Sequence, residues 1–200
     1  MVKNTLICQC VNVLKENNNK IMKKIILILT GLLLLGGTQA QVKWNTIADA
    51  STAKIGSKMY FVDFYTTWCG YCKKMDRETF SDPTVVKLLN KYYYPVKFNA
   101  EGSDVVTWKG QTYKGTAGQR SNPHQFASAV LGRQMGFPTF VLFKADQTPI
   151  QSIPGFYSAH DFAIILWYFA SGDCDKYPYD RYQQIFDKEI RPIMEKELAK

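Results

Sequence analysis

The chain has 200 residues, of which 46% are hydrophobic, and a formal net charge of +8. The first 40 residues hold five lysines and one acid, which leaves 20 basic and 16 acidic residues in 41–200. That remainder has the length of one domain with a single core, and its scattered charges give no reason to expect a nucleic-acid partner. Its sequence contains no repeat and no phosphate-binding glycine motif.

Residues 22–40 have the layout of a secretory signal peptide. A pair of lysines precedes an apolar run at 25–35, and small residues close the segment at 38–40. We expect cleavage after Ala40, which predicts a periplasmic or secreted protein without stable membrane insertion. A membrane anchor is the alternative, but the run is shorter than the ~20 residues that a spanning helix needs.

The polar segment 1–21 precedes a second start, Met22, which stands directly before the lysine pair. We interpret Met22 as the true start and 1–21 as a mis-assigned leader, because a long polar segment is not typical of signal peptides. Cys8 and Cys10 then have no function. Oxidising surroundings outside the cytoplasm fit a protein that handles disulfides.

The sequence up to residue 99 predicts alternating helices and strands. A helix is expected from Cys69 to about Phe80, after which Ser81 can cap a further helix whose first turn holds Pro83. In chain order we predict a helix or turn at 44–54, a strand at 59–65, helices at 69–80 and 84–91, and a strand at 92–99.

Residues 101–124 interrupt this alternation with turn-forming residues. Trp108 and Tyr113 flank a Lys-Gly pair, which predicts a small hairpin. The segment is either an ordinary surface insertion or a flap that faces the substrate, since function is often found on loops.

The last third of the chain predicts two further strands and several helices. We expect a helix at 124–134, strands at 139–144 and 150–153, a helix at 162–170 capped within 158–161, and a C-terminal helix from about 180 that Pro192 starts, kinks or divides. The order of the elements predicts an α/β fold, in which a mixed β-sheet is flanked by helices on both faces.

Two cysteines separated by two residues, Cys69 and Cys72, determine the chemistry that we predict. The first lies where a helix begins, and free N–H groups and the helix dipole there favour the thiolate that attacks disulfides. A zinc site would need more ligands, because the chain has no second CxxC and no H-x3-5-H. An inert disulfide between these cysteines would close a loop too short to add much to the stability of the folded protein. We predict a redox-active disulfide with no metal and no other cofactor. A metal site and an inert structural disulfide are the alternatives.

Three further groups have no clear place in this chemistry. Cys174 is a free thiol, an intermolecular partner or a third redox group, and we expect no catalytic role for it. His124 and His160 are predicted at a loop and a helix start, without a neighbour that would form a catalytic dyad.

The motifs together resemble the thioredoxin fold. They are Val62-Asp63-Phe64-Tyr65, then Trp68-Cys69-Gly70-Tyr71-Cys72-Lys73, and far downstream Gly136-Phe137-Pro138-Thr139. The run at 78–85 after the CxxC is similar to the C-terminal thioredoxin-like domain of the DsbD-type periplasmic disulfide interchange reductases. The resemblance implies a single domain at 41–200, with a core at about 44–170, the insertion at 101–124 and a helical extension at about 175–200.

The resemblance also implies distinct roles for the residues around the disulfide. Cys69 would be the exposed nucleophile that forms a mixed disulfide with a substrate, and the more buried Cys72 would resolve it. Asp63 corresponds to the buried acid that exchanges a proton with Cys72, or else lies on the polar face of an edge strand. Lys97 matches the lysine that approaches this acid, or lies on a solvated face.

Substrate contacts follow from the same resemblance. Pro138 is expected to form a cis peptide bond with Phe137, in a loop that faces the cysteines, pairs with the substrate chain and blocks metal capture. Trp68 would cover the site, with a core tryptophan as the alternative. Gly70 and Tyr71 lie between the two cysteines and would tune their reactivity.

The Gly-Tyr pair is similar to that of the periplasmic disulfide isomerases, which dimerise through a separate N-terminal domain. Fewer than 20 residues lie between the expected mature start and the first core strand, so no such domain fits and we expect a monomer. The leading hypothesis is an exported oxidoreductase that reduces protein disulfides and receives electrons from a thiol protein. The alternatives are an oxidase or isomerase, and a redox-inactive binding module that uses the 101–124 insertion.

Overall fold

The computed structural model describes residues 22–24, 40–116, 123–132 and 135–200. Residues Ala40–Lys200 form one compact unit. The leader 1–21 and most of the predicted signal peptide lie outside the described residues, as do Cys8 and Cys10. Within the described ranges, no helix combines the length and hydropathy that crossing a bilayer requires.

A four-stranded mixed sheet organises the molecule. The strands are β1 (Met59–Tyr65), β2 (Tyr93–Asn99), β3 (Val106–Trp108), β4 (Gln111–Tyr113), β5 (Thr139–Phe143) and β6 (Pro149–Pro154). The sheet has the order β2-β1-β5-β6, and β3 and β4 form a separate hairpin. Strand β1 pairs in parallel with β2 and antiparallel with β5, which in turn pairs antiparallel with β6.

The helices alternate with these strands as predicted. They are α1 (Ile47–Thr52), α2 (Gly70–Lys74), α3 (Pro83–Tyr92), α4 (Gln125–Leu131), α5 (Ala159–Ala170), α6 (Tyr179–Ile185) and α7 (Arg191–Leu198). Helix α2 continues as a π-helical turn at Met75–Thr79, and α6 as another at Phe186–Ile190. A 3-10 turn at Asp173–Asp175 follows α5.

Core residues lie on both faces of the sheet because successive side chains of β1 point to opposite sides. Phe61 packs into one cluster with residues of α3, α5, α6 and α7. Tyr60, Val62 and Phe64 pack into the other with residues of α1, α4 and the β3–β4 hairpin. The predicted fold class, a mixed sheet with helices on both faces, is confirmed.

Several predicted helix boundaries are wrong, among them the start of α5, which is Ala159 rather than Phe162. Asp82, not Ser81, caps α3, because its carboxylate accepts the N–H groups of Thr84 and Val85, whereas the Ser81 hydroxyl donates to a backbone carbonyl one turn earlier. Helix α4 ends at Leu131 rather than at 134. The next residue, Gly132, has φ of 79°, a left-handed conformation that glycine adopts without strain.

The hairpin predicted within 101–124 is confirmed and belongs to the core. Trp108 packs against Tyr60 and Phe143, with ring centroids 5.1 and 5.2 Å apart. The described part of the segment is therefore no ordinary surface insertion. Residues 117–122 lie outside the described part, and contact with a substrate stays a prediction.

His124 fixes the end of this segment to α4. Its Nδ1 accepts the N–H of Phe126 at 3.0 Å, so the ring proton is on Nε2, which donates to the carbonyl of Asp104 at 2.7 Å. His124 therefore has a structural role, as a helix cap.

Gly115 packs so closely that a Cβ there would lie 2.1 Å from the carbonyl oxygen of Gly102.

The C-terminal extension completes the core beside α5. Tyr182, Phe186 and Met194 are buried in the same cluster as Phe61. The predicted C-terminal helix is present as α6, the π-helical turn Phe186–Ile190 and α7, and Pro192 lies in the first turn of α7, directly after the π-helical turn.

Candidate active site

The disulfide between Cys69 and Cys72 lies where β1 passes into α2. The N–H of Cys69 donates to the carbonyl of Thr66 at 3.2 Å, which closes the turn that follows β1. Cys69 is the N-cap of α2, and its Sγ accepts the N–H of Cys72 at 3.0 Å. The two Cα atoms are 5.3 Å apart, within the range for a disulfide. On reduction, the same N–H would stabilise a Cys69 thiolate.

The predicted difference in exposure between the two cysteines is wrong for the oxidised protein. Each is only 4% exposed. Because Cys69 Sγ bonds Cys72 Sγ and also accepts the Cys72 N–H, it is turned towards the helix. What distinguishes Cys69 in this state is its place ahead of the first helical turn, and not its accessibility.

Asp63 is a buried acid in the strand that leads to the disulfide. Its side chain is 3% exposed, and Oδ1 has no hydrogen-bond partner. Burial raises the pKa of Asp63 to about 7, the nearby Lys97 ammonium opposes this, and the Asp76 carboxylate adds to it. The alternative of a polar edge-strand face is wrong, because β1 is an inner strand of the sheet. Asp63 can thus exchange a proton near neutral pH.

Lys97 approaches this acid from β2, where it pairs in register with Asp63. Its Nζ lies 3.9 Å from Asp63 Oδ2 and hydrogen-bonds the carboxylate of Asp76. The same ammonium lies over the rings of Trp44 and Tyr65, at 5.1 and 5.4 Å from their centroids, so cation–π contacts hold it there. The structure thus brings Lys97 and Asp63 together as predicted and adds Asp76, which the sequence analysis missed.

Trp68 is a surface residue beside the disulfide, and the alternative of a core tryptophan is wrong. The side chain is 47% exposed, and its ring meets that of Phe137 edge to face at 6.5 Å. Its Nε1 donates to Oε2 of Glu101 at 2.8 Å. Glu101, at the start of the insertion, is buried and was also missed by the sequence analysis.

Tyr71, between the two cysteines, is 63% exposed. Its ring lies 6.3 Å from that of Phe156, and Lys74 Nζ lies 4.3 Å above the same Phe156 ring. Gly70 faces open space. Exposed aromatic side chains therefore directly precede both cysteines in the chain, Trp68 before Cys69 and Tyr71 before Cys72.

The peptide bond between Phe137 and Pro138 is cis, as predicted. Thr139 pairs with Phe64, so the residues just before Thr139 lie beside the end of β1, where the cysteine turn begins. The contact of Phe137 with Trp68 shows that the two loops meet.

Two other groups lie apart from this chemistry. Cys174 is a free cysteine, and burial raises the pKa of its thiol. His160 contacts the carboxylates of Asp161 and Asp187, which raise its pKa. Within the described ranges, no group of three or more His, Cys, Asp or Glu residues could hold a metal ion.

Comparison with known proteins identifies the family of the sequence. The model of a thioredoxin-like domain matches residues 48–170, more than half of the chain. The chain belongs to the thioredoxin-like family. No curated protein matches the sequence of this thioredoxin-like protein.

Solved structures similar to this thioredoxin-like protein include three bacterial proteins. The oxidised C-terminal domain of DsbD from Neisseria meningitidis has a TM-score of 0.36 and 21% identity, covering 56% of this chain and 78% of its own. A thioredoxin-fold protein from Helicobacter pylori has a TM-score of 0.47 and 16% identity, covering 78% and 91%. A thioredoxin from Thermus thermophilus has a TM-score of 0.44 and 21% identity, covering 63% and 85%.

Proposed function

We propose that this protein is an exported thiol–disulfide oxidoreductase that reduces disulfides in protein substrates. The observation that carries the proposal is the Cys69–Cys72 disulfide at the start of α2, reached by a strand that buries Asp63 with a pKa of about 7. The N–H of Cys72 would stabilise a Cys69 thiolate, and the Asp63 carboxylate would serve as the base for the Cys72 thiol.

In the proposed cycle, the dithiol transfers two electrons to a substrate disulfide. The Cys69 thiolate attacks one substrate sulfur, so that a mixed disulfide forms and the other substrate sulfur leaves as a thiolate. Cys72 then attacks Cys69 Sγ while its proton passes to the Asp63 carboxylate, and the second substrate thiol is released. An electron-donor thiol protein restores the dithiol.

The proposed substrate contacts are the exposed groups around the disulfide. Trp68, Phe137 and Tyr71 would contact the substrate chain, and the loop at Pro138 would pair with its backbone. A Cβ at Gly70 would meet no other atom within 4 Å, so this position adds no bulk beside the disulfide. We propose that the protein acts as a monomer and uses no metal and no cofactor beyond its own disulfide.

The reduction potential of the Cys69–Cys72 couple, equilibrated against glutathione, tests the direction of transfer. We expect a value near that of thioredoxin, about −270 mV, together with reduction of insulin by the reduced protein. A value near about −120 mV would show an oxidase instead. A couple that exchanges with neither glutathione nor insulin would show the redox-inactive binding module.

Export is proposed from the leader. Protein produced with its own leader is expected to begin at Gln41, and intact-mass and N-terminal analysis of the secreted fraction measures this. Protein that begins at Met1, or that stays in the membrane with 22–40 attached, would contradict export as a soluble protein. A start at Met1 would also return Cys8 and Cys10 to the functional chain.

A further inference from the structure

The segment that precedes α1 lies along the outer edge of β2. Asn45 forms a parallel bridge with Val96, and the N–H of Asn45 donates to the carbonyl of Pro95 at 2.9 Å. The carbonyl of Asn45 accepts the N–H of Lys97 at 3.1 Å. These bonds fix the chain beside Trp44, which lies ahead of residue 48, where the family match begins.

The side chain of Trp44 is packed between the core and the Lys97 ammonium. Its ring meets that of Phe80 edge to face at 5.0 Å and lies 6.2 Å from that of Phe61. Lys97 Nζ lies 5.1 Å from the Trp44 centroid, and 5.4 and 5.9 Å from those of Tyr65 and Phe80. Three aromatic rings thus lie within the distance at which a ring face attracts a cation, and Trp44 is the nearest of the three.

These rings hold Lys97 where a hydrogen bond to Asp63 does not. Lys97 Nζ lies 3.9 Å from Asp63 Oδ2, which is too far for a hydrogen bond. The same ammonium hydrogen-bonds Asp76, whose side chain is 45% exposed. A lysine side chain is flexible, so an ammonium bound only to Asp76 could follow that carboxylate towards solvent. The Trp44 ring opposes this movement.

Few charged or titratable groups act on Asp63. Lys97 faces it from β2, Asp76 acts from the π-helical turn that follows α2, and Tyr65 lies two positions further along β1. On β5, the residue in register with Asp63 is the uncharged Phe140. Among these groups of the described chain, only Lys97 has a positive charge that favours the carboxylate form of Asp63.

We propose that Trp44 is a positioning residue of the active site, whose ring holds the Lys97 ammonium against Asp63 so that Asp63 is a carboxylate when Cys72 gives up its proton. The inference rests on the proposed function in one point, the role of Asp63 as the base for Cys72. The effect of Trp44 on Asp63 itself involves no redox step, so it can be measured in the oxidised protein.

Carbon-13 NMR of the Asp63 carboxyl group, followed in the oxidised full chain as pH is raised, tests the proposal. Trp44→Leu keeps an apolar side chain and removes the ring, so Lys97 is released from Asp63. We expect the midpoint of the Asp63 titration to rise by about half a pH unit. Trp44→Phe keeps an aromatic face and should raise the midpoint by less. An unchanged midpoint in Trp44→Leu would overturn the proposal.

A second cation–π pair provides the matched control. Lys91 Nζ lies 5.6 Å over the ring of Tyr92 on α3, and Tyr92 is partly buried like Trp44. Tyr92→Leu removes that ring and should leave the midpoint of the Asp63 titration in place. An equal rise in Tyr92→Leu and Trp44→Leu would overturn a specific role for Trp44.

A double variant separates the charge of Lys97 from the packing of Trp44. Lys97→Met keeps the length of the side chain without its charge. In that background, Trp44→Leu should no longer move the midpoint, because the two residues act through one contact. A rise of the same size without Lys97 would show that Trp44 acts by excluding water from Asp63, and would overturn the proposal.

If Trp44→Leu does not fold, fluorinated tryptophan at all four tryptophan positions takes its place, since it keeps the ring and weakens its negative face. The midpoint should then rise in the parent protein and not in Lys97→Met, and an unmoved midpoint in the parent would overturn the proposal. The inflection of the resolution rate should move with the midpoint, and an inflection that stays in place would overturn a role in the reaction. A moved midpoint in a protein that reduces no disulfide would contradict the proposed function alone.

Discussion

Replacement of Cys69 by serine is expected to abolish disulfide reduction, because a hydroxyl at the N-cap cannot form the mixed disulfide. Loss below the detection limit in an insulin-reduction assay is the expected result. Cys174→Ser is the matched control, since it removes the remaining thiol of the described chain and should keep full activity.

Cys72→Ser should behave differently, because attack by Cys69 survives while resolution is lost. Mixed disulfides with client proteins are then expected to accumulate, and non-reducing gels of a periplasmic extract would show them. Activity retained by Cys69→Ser, or trapping by Cys69→Ser alone, would reverse the roles assigned to the two cysteines.

Asp63→Asn is expected to slow resolution of the mixed disulfide by about 100-fold near neutral pH, the low end of the range for general acid–base catalysis. The first attack by Cys69 should change little. In the parent protein, the resolution rate should rise with pH through an inflection near 7, where Asp63 becomes a carboxylate. In the variant, the inflection should move towards the pKa of an ordinary thiol, about 8.5. Rapid-mixing kinetics measure both steps, and equal rates in variant and parent would contradict a proton transfer by Asp63.

The same variant should become more stable than the parent protein as pH rises, because only the parent loses stability. The pKa of Asp63 is raised from 3.8 to about 7 in the folded protein, so that between these values the unfolded chain loses a proton that the folded protein keeps. The free energy of unfolding of the parent therefore falls with rising pH across this window, in total by about 4 kcal/mol. Asp63→Asn removes this loss. Denaturant titrations at pH 4 and pH 8 would show a difference between parent and variant only at the higher pH.

Asp76 offers a further check on the same group. Its carboxylate raises the pKa of Asp63 and binds Lys97, so Asp76→Asn should shift the inflection of the resolution rate to lower pH. Glu78→Gln is the control, because this acid contacts Lys74 and Arg77 on the helix surface. An equal shift in both variants would indicate a general charge effect.

Local patterns predict much of this fold because they act within a few residues. Strand β1 has the predicted bounds, since seven residues rich in aromatic and β-branched side chains favour a strand wherever the chain places it. The cap of α3 shows the limit of such patterns. Ser81 and Asp82 are both suitable N-caps, and only the backbone conformation decides between them.

The cysteines and Asp63 were predictable because their motif is contiguous, but their neighbours were not. Asp76 and Glu101 belong to a helix and a loop, where charged residues are usually solvated, and only the tertiary fold brings them to Lys97 and Trp68. Thr79, at the end of the π-helical turn Met75–Thr79, also has a partner that only the tertiary fold brings near. The hydroxyl of Thr79 donates to the carbonyl of Tyr157, which is 78 positions away in the sequence.

The core position of the C-terminal extension affects the order in which the protein can fold. The family match ends at residue 170, yet Tyr182, Phe186 and Met194 fill the cluster that covers α5. A chain that leaves a ribosome or a membrane channel from its N-terminus exposes the active-site strand well before these residues follow. Tyr182, Phe186 and Met194 can therefore join the cluster around α5 only after the sheet has emerged, so this part of the core closes last.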